Sequence, residues 1–287
     1  MKYWVEAARP RTLVAGIVPV LVGTAVSDRF SAPRFLGALV VAVFMQVGVN
    51  FANDYFDAVK GVDTTRRLGP RRLTSAGLIS PGAMRNAMVV TFLVAVLAGL
   101  GLAAAAGWEL AVVGAVSLLA ALGYSGGPWP YASHGLGEVF VFIFFGVVAT
   151  VGSSYVQIES VASLALVASV PVGLLATAIL LVNNLRDIHT DAATGKRTLA
   201  VMLGTAGTQR LYRATLAGAF LGLGPVGWAA GSALVALPVL SLPLAVDPWR
   251  RVATESGRGL IAVLVSTAKL QLVFGALMAV GLWWVGR

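Results

Sequence analysis

Nine stretches of this chain read as membrane spans, at roughly 12–27, 35–53, 86–107, 109–124, 136–154, 162–184, 214–230, 232–246 and 260–285. A helix needs about 20 apolar residues to cross the hydrocarbon core of a bilayer. The first, seventh and eighth stretches are short for that and are expected to extend into the interface. Gly107-Trp108 separates the third from the fourth and Gly231-Ser232 the seventh from the eighth, each marking a tight hairpin. Only 11% of the 287 residues are charged and 58% are hydrophobic, whereas soluble domains carry about 25% charged residues. So few charges cannot cover so much apolar surface in water. That excludes a soluble enzyme, a disordered chain and a nucleic-acid-binding module. The 33 glycines suit helices that pack closely in lipid. With no cysteine, disulfides, thiolate metal sites and cysteine nucleophiles are excluded. The expected fold is all-α and polytopic, with nine transmembrane helices in one domain spanning 1–287.

The net charge of +9 reads as topology, because Lys and Arg collect in cytoplasmic loops. With the N-terminus inside, nearly all of the 21 Lys and Arg fall on the cytoplasmic side or close to it. Only Arg29, Arg34 and Arg287 fall opposite. An odd number of spans then puts the C-terminus outside, and the cell membrane is the expected location. The opening MKYWVEAARPR shows no small-x-small cleavage site after a short apolar run. The first apolar stretch is therefore expected to be a retained helix and not a signal peptide.

Two connections are long, about 54–85 and about 185–213, and neither is low in complexity. Long ordered loops are commonly functional. Each opens on an acidic segment at the cytoplasmic exit of a span. The first runs from Asn53 and Asp54 through Asp57 to Lys60 and Asp63, and the second from Asn183 and Asn184 through Arg186 and Asp187 to His189 and Asp191. Asn53 to Asp57 and Asn183 to Asp187 share the same spacing, a weak internal repeat. A spacing of four puts each pair on one helical face, and Asp191 continues the second. Carboxylates there repel one another and face the negative end of the helix dipole. A divalent cation reverses both effects, and hard oxygen ligands suit Mg²⁺ held together with a phosphate. The alternative is a pair of solvated acidic ends balanced by nearby Arg. Lys60, Arg67, Arg72, Lys196 and Arg197 follow the acidic segments closely. Acid beside base suggests an anion held partly through metal and partly by direct contact. Arg forks match phosphate oxygens and Lys supplies a mobile charge. The competing role for each cation is topology or contact with anionic lipid.

These blocks resemble the UbiA-type intramembrane prenyltransferases. NDYFDAVKGVDTTRRLGPRRL (Asn53 to Leu73) and NNLRDIHTDAATGKRTLAVMLG (Asn183 to Gly204) look like that family's two aspartate motifs. They are most similar to its naphthoate branch. So is the segment from Tyr124 and Pro128 through Gly137-Glu138 to Phe144-Phe145-Gly146. The five-residue gap between Asp57 and Asp63 departs from the three-residue gap common in the wider family and matches that branch.

The resemblance implies nine helices around a central cavity and a Mg²⁺-dependent transfer. A polyprenyl group would pass from polyprenyl diphosphate to 1,4-dihydroxy-2-naphthoate with loss of the carboxylate, giving demethylmenaquinol and diphosphate for menaquinone synthesis. It implies Asp57, Asp63, Asp187 and Asp191 as the metal-organising catalytic carboxylates. Asn53 and Asp54 would support the first cluster, and Asn183 or Asn184 the second. Lys60, Arg67, Arg72, Lys196 and Arg197 would hold the diphosphate, with Gly195 letting the backbone at Lys196 come close. Gln46 and Asn50, one and two turns up the second span, are expected on the cavity wall. Tyr124 and Tyr131 would shield the allylic cation or hold the acceptor ring, unless they belong to an interfacial aromatic belt. Glu138 at the start of the fifth span needs a partner and is expected to pair with a cation. Neither His134 nor His189 has metal-site company. Beyond substrates and membrane lipid, no partner is implied.

Rival functions are a family member with another aromatic acceptor, an ion-coupled transporter, and a membrane phosphoalcohol transferase. A transporter should hold its acids near the bilayer midplane, whereas these lie at span ends. The Asp-Gly and Ala-Arg signature of the third is not seen in the chain.

Overall fold

The computed structural model describes residues 1–61, 69 and 71–285. Among them, all regular structure is helical. A short α1 (Lys2–Ala8) leads through a 3₁₀ turn (Pro10–Thr12) into α2 (Val14–Ala25). Then come α3 (Ala32–Val59), α4 (Pro81–Ala106) and α5 (Glu109–Gly123). The next span is composite: α6 (Gly137–Val141), a π-helical stretch (Phe142–Val148) and α7 (Ala149–Ile158). It is followed by α8 (Ser163–Ala193), α9 (Leu199–Leu221) and α10 (Leu223–Ala230). A 3₁₀ segment (Ala233–Ser241) enters α11 (Leu242–Thr254), and α12 (Leu260–Val285) closes the chain.

Every apolar stretch expected to span coincides with helix. Among the described residues, six helical segments are long and apolar enough to cross a membrane: Ala32–Val59, Pro81–Ala106, Gly137–Ile158, Ser163–Ala193, Ala233–Thr254 and Gly257–Val285. Val14–Ala25 and Glu109–Gly123 are apolar but shorter. The stretch read as 214–230 divides between α9 and α10, and α9 itself kinks at Gly204, whose φ of 68° only glycine adopts easily.

Helix ends are defined by local chemistry. Ser80 accepts a hydrogen bond from the Ala83 amide at the start of α4, with Pro81 in the first turn, where a missing N–H is harmless. Thr198 does the same for α9. At the end of α8, Gly195 takes a φ of 75° and the Lys196 amide returns to the Asp191 carbonyl at 2.9 Å. That glycine stop reverses the chain immediately after the second acidic segment.

Helix α8 is the centre of the bundle. Of its most apolar window, 72% is buried, against 28% for α4, which therefore faces lipid. It packs on α9, α12 and the composite span. The main core joins α2, α8, α9, α11 and α12 around Val22, Leu181, Tyr212, Leu216 and Phe274. A second core joins α3, α4 and α5 around Phe51, Met84 and Phe92. Lipid tails are as apolar as leucine, so close approach has to hold such helices together. Glycine provides it. A Cβ built on Gly23 would collide with the Thr150 carbonyl, and one on Gly146 would lie 2.6 Å from Gly173 Cα.

Candidate active site

The ends of α3 and α8 carry the two acidic segments, and the loops beyond them bring the segments together. Lys196, just past the Gly195 stop, reaches back to Asp57 on α3, Nζ to Oδ1 at 3.3 Å. Arg72, in the connection after α3, donates from Nη2 to Asp57 Oδ2 at 2.6 Å. Asp57 is thus buried between cations from both halves of the chain. A Cβ on Gly69 would strike the Arg186 guanidinium, so the first loop lies directly on the second acidic segment. Arg186 forks onto Asp187, Nε to Oδ1 at 2.9 Å and Nη2 to Oδ2 at 2.6 Å. Its Nη2 also donates to Asn183 Oδ1 at 2.9 Å. The sequence places Arg186 inside the second acidic segment but gives it no role there. Its signal was an arginine set beside an aspartate at the end of an apolar helix.

The loop after α5 closes the same end. Lys60 Nζ donates to the Ser125 and Gly127 carbonyls at 2.8 and 3.2 Å. Gly126 packs its backbone against the Phe56 ring. The Arg197 amide donates to the Ser133 carbonyl at 3.0 Å, while the Arg197 side chain is exposed. Asp191 is half-buried and His189 exposed. Asp63 and Arg67 lie outside the described residues.

Asp54 is buried, with 1% of its surface exposed. Its two carboxylate oxygens accept the Leu73 and Thr74 amides at 3.0 and 2.9 Å. Leu73 plugs the core beneath, and the Leu78 and Ile79 amides fold back to its carbonyl. Asp54 is the latch that holds Arg72 against Asp57. Asp54→Ala strands two amides, at about 1–3 kcal/mol for each buried group left unsatisfied. Residues 71–79 should then exchange amide hydrogens much faster, and the activity should fall with Arg72 released. Unchanged exchange would remove the latch assignment.

Gln46 and Asn50 are buried, but their amides turn to the N-terminal segment. Gln46 Nε2 donates to Thr12 Oγ1 at 3.2 Å, and Asn50 Nδ2 to the Ala8 carbonyl and Thr12 Oγ1 at 2.9 and 3.1 Å. They tie α1 and the 3₁₀ turn to α3 just above the site. Tyr124 and Tyr131 pack edge to face at 5.5 Å, and Tyr131 stacks on Phe140 at 3.9 Å. The Tyr131 hydroxyl donates to the Ala120 carbonyl, and burial raises its pKa above the ordinary phenol value. This aromatic wall stands beside the acidic segments.

One expectation is corrected. Glu138 pairs with an amide and not with a cation: its Oε1 accepts from Asn184 Nδ2 at 2.9 Å. No cationic side chain among the described residues bonds to it. A neutral partner satisfies one oxygen of a buried carboxyl without bringing a second charge into the span.

One oxygen donor of the first segment is left over for a hard cation. Asn53 Oδ1 is buried without a hydrogen-bond donor, one helical turn from Asp57 on the same face. The Asp57 and Asp187 carboxylates each hold cationic side chains. Among the described residues, no three Asp, Glu or His side chains gather around one point. The two segments are joined through Lys196 and Gly69 and not carboxylate to carboxylate.

Residues 16–258 match the model of the UbiA prenyltransferase family. The 1,4-dihydroxy-2-naphthoate octaprenyltransferase of Mycobacterium leprae (strain TN) is 40% identical over 96% of this chain and 94% of its own. Its namesake in Escherichia coli (strain K12) is 38% identical over 76% and 74%. Among solved structures, the apo form of a UbiA homolog from Aeropyrum pernix K1 superposes with a TM-score of 0.74 at 16% identity, covering 93% of this chain and 97% of that one. A UbiA homolog from Archaeoglobus fulgidus bound to GPP and Mg²⁺ gives 0.66 at 14% identity, over 96% and 99%. These last two establish the fold.

Proposed function

Because the chain belongs to the UbiA prenyltransferase family, we propose that it transfers a polyprenyl group from a polyprenyl diphosphate to 1,4-dihydroxy-2-naphthoate. The observation that carries the donor half is the contact of Lys196 with Asp57, which joins two separate acidic and basic segments at one end of the bundle. The acceptor half is supported by the names of relatives at 38% to 41% identity. Several charges of both signs, buried together at a membrane-facing site, suit a compact polyanion better than a neutral ligand.

In this mechanism Lys196 and Arg72 bind the diphosphate, with Arg197, Lys60 and Arg67 as further contacts. Asn53, Asp54, Asp57, Asp63, Asn183, Asp187 and Asp191 form the candidate metal set, Asp54 through the loop it latches. Mg²⁺ held by these residues would supply Lewis-acid neutralisation of the leaving group's charge. Its presence in a fold relative supports that choice. The C–O bond of the donor breaks and its electron pair leaves with diphosphate. Lys196 and Arg72 hold the charge that develops there. The Tyr124 and Tyr131 faces shield the allylic cation from water. The electron-rich ring attacks at the carbon that bears the carboxylate, forming the new C–C bond. That carboxylate leaves as CO₂, and its bond pair returns to the ring. The product is demethylmenaquinol, and no ring proton has to be removed.

The membrane setting follows from the donor. Its chain is apolar and escapes sideways into lipid, while the diphosphate stays at the cytoplasmic face. We assign the N-terminus and the site loops to that face and the C-terminus to the other, from the Lys and Arg distribution. This assignment adds α2, α5 and the α9–α10 pair to the six long apolar segments to reach nine crossings.

The test is a product assay. Purified protein, Mg²⁺ and a long polyprenyl diphosphate are offered several aromatic acids, and products are read by mass. Dihydroxynaphthoate should be prenylated with loss of CO₂, and 4-hydroxybenzoate should not. Preference for hydroxybenzoate or homogentisate would replace the acceptor. A signal with none of them, and no Mg²⁺ dependence, would favour a transporter.

A further inference from the structure

Glu138 is a buried carboxyl that this mechanism leaves without work. It has 3% of its surface exposed, and its Oε2 is buried with no hydrogen-bond partner. A carboxyl in a span is costly unless both oxygens are satisfied. Asn184 satisfies only one of them.

Its position gives the unused oxygen a task. Asn184 is three residues before Asp187 on α8, so Glu138 meets the bundle about 4.5 Å deeper than the acidic tip. An acceptor ring must sit at that depth, because the carbon it attacks is the one bonded to the diphosphate. The Tyr124 ring packs over Gly137, 3.8 Å from a Cβ built there. Tyr124 also packs edge to face on Tyr131, whose ring stacks on Phe140 two residues after Glu138, so Glu138 and the aromatic wall belong to one region of the bundle. The helix carrying Glu138 is pinned by the Gly146–Gly173 contact, and it changes to π geometry four residues after Glu138. Such local over-widening often marks a functional position.

We propose that Glu138 Oε2 accepts a hydrogen bond from a ring hydroxyl of the aromatic acceptor, with Asn184 as the residue that positions it. The proposal rests on the prenyl transfer argued above and names a residue for its acceptor half. A hydroxyl hydrogen-bonded to a carboxyl pushes electron density into the ring, which favours attack on the allylic cation. It also orients the ring relative to the diphosphate. No bond to Glu138 forms or breaks.

The experiment is a cycle between protein and substrate in the full-length, detergent-purified chain. Wild type and Glu138→Gln are compared using 1,4-dihydroxy-2-naphthoate and the two naphthoates that lack one hydroxyl. KM and kcat are read where turnover occurs, and inhibition constants where it does not. Glu138→Gln should raise the dihydroxynaphthoate KM by roughly tenfold to a hundredfold, the range of one hydrogen bond to a charged group. The polyprenyl diphosphate KM should stay within about twofold, as expected of a group that touches only the acceptor. One monohydroxy analogue should bind wild type correspondingly more weakly and show little further loss in the variant. A hydroxyl penalty of equal size in both proteins overturns the proposal, as does a matched rise in both KM values. Glu138→Asp, which withdraws the carboxyl by one methylene, gives a second reading: an acceptor-only defect supports the contact, and a defect shared with the donor opposes it. Failure of wild type to prenylate dihydroxynaphthoate at all would instead strike the parent function.

Discussion

Asp57→Asn should lower prenyl transfer by about 10³-fold, the upper range for losing one preorganised electrostatic contact in a closed site. The substitution preserves shape and removes the charge that gathers Arg72 and Lys196. It also leaves a buried guanidinium without its carboxylate. Breaking one side of such a pair costs about 3–5 kcal/mol. A loss of activity could then reflect only a loss of fold. The double variant Asp57→Asn with Arg72→Met reads the stability part alone, because Arg72 is itself a proposed diphosphate contact whose loss lowers turnover in its own right. Replacing both partners of a buried pair by neutral groups is often neutral or stabilising. Thermal stability should therefore return toward wild type in the double variant, while activity stays lost. Turnover should not recover at any Mg²⁺ concentration. Recovery of rate in the double variant would show that Asp57 and Arg72 serve only the fold.

A second large effect is expected far from the charges. Gly146→Val should unpack the composite span from α8. A Cβ at Gly146 would lie 2.6 Å from Gly173 Cα and 3.2 Å from Gly173 N and the Ser169 carbonyl. These are backbone atoms of another helix, and no rotamer change relieves the overlap. The helices must separate along their whole contact. Overpacking usually costs about 1–3 kcal/mol, and more where backbone is involved. At about 2–4 °C for each kcal/mol in a chain of this size class, the melting temperature should fall by roughly 5–10 °C. The separation would also pull Glu138 from Asn184, which spans the same two helices. Activity should therefore fall further than the stability loss accounts for at a temperature where the variant is still folded. Gly152→Val is the control, because a Cβ there meets no neighbouring atom. If Gly146→Val melts like that control, the contact does not hold the span.

Much of the candidate site stands out in the residues alone because polar groups are conspicuous in an apolar chain. Asn53, Asp57, Asn183 and Asp187 share a spacing, and Lys196 follows a glycine that ends α8. The structure joins Lys196 to Asp57 across the bundle. The roles of Gln46, Asn50, Asp54 and Glu138 were not legible in the same way. Spacing tells which face a side chain occupies but not what meets it. Gln46 and Asn50 find Thr12 and Ala8, Asp54 finds two loop amides, and Glu138 finds Asn184. Each partner is at least nineteen positions away in the chain. Arg186 was hidden for the opposite reason, since its partners are its immediate neighbours and the loop over it comes from the other half.

What the amino-acid order determined by itself is the solvent and the secondary structure. Long apolar runs with few charges can only be helices in lipid, because an unpaired backbone amide in hydrocarbon costs too much. It also determined where the charges concentrate along the chain. Which charge meets which was decided by tertiary packing alone. Glycine contacts such as Gly146 on Gly173 set how close the helices come, and a shift of one helical turn would have given Asp57, Arg72 and Lys196 different neighbours. Side-chain pairing reaches only a few ångströms, and no pattern along one dimension carries that distance.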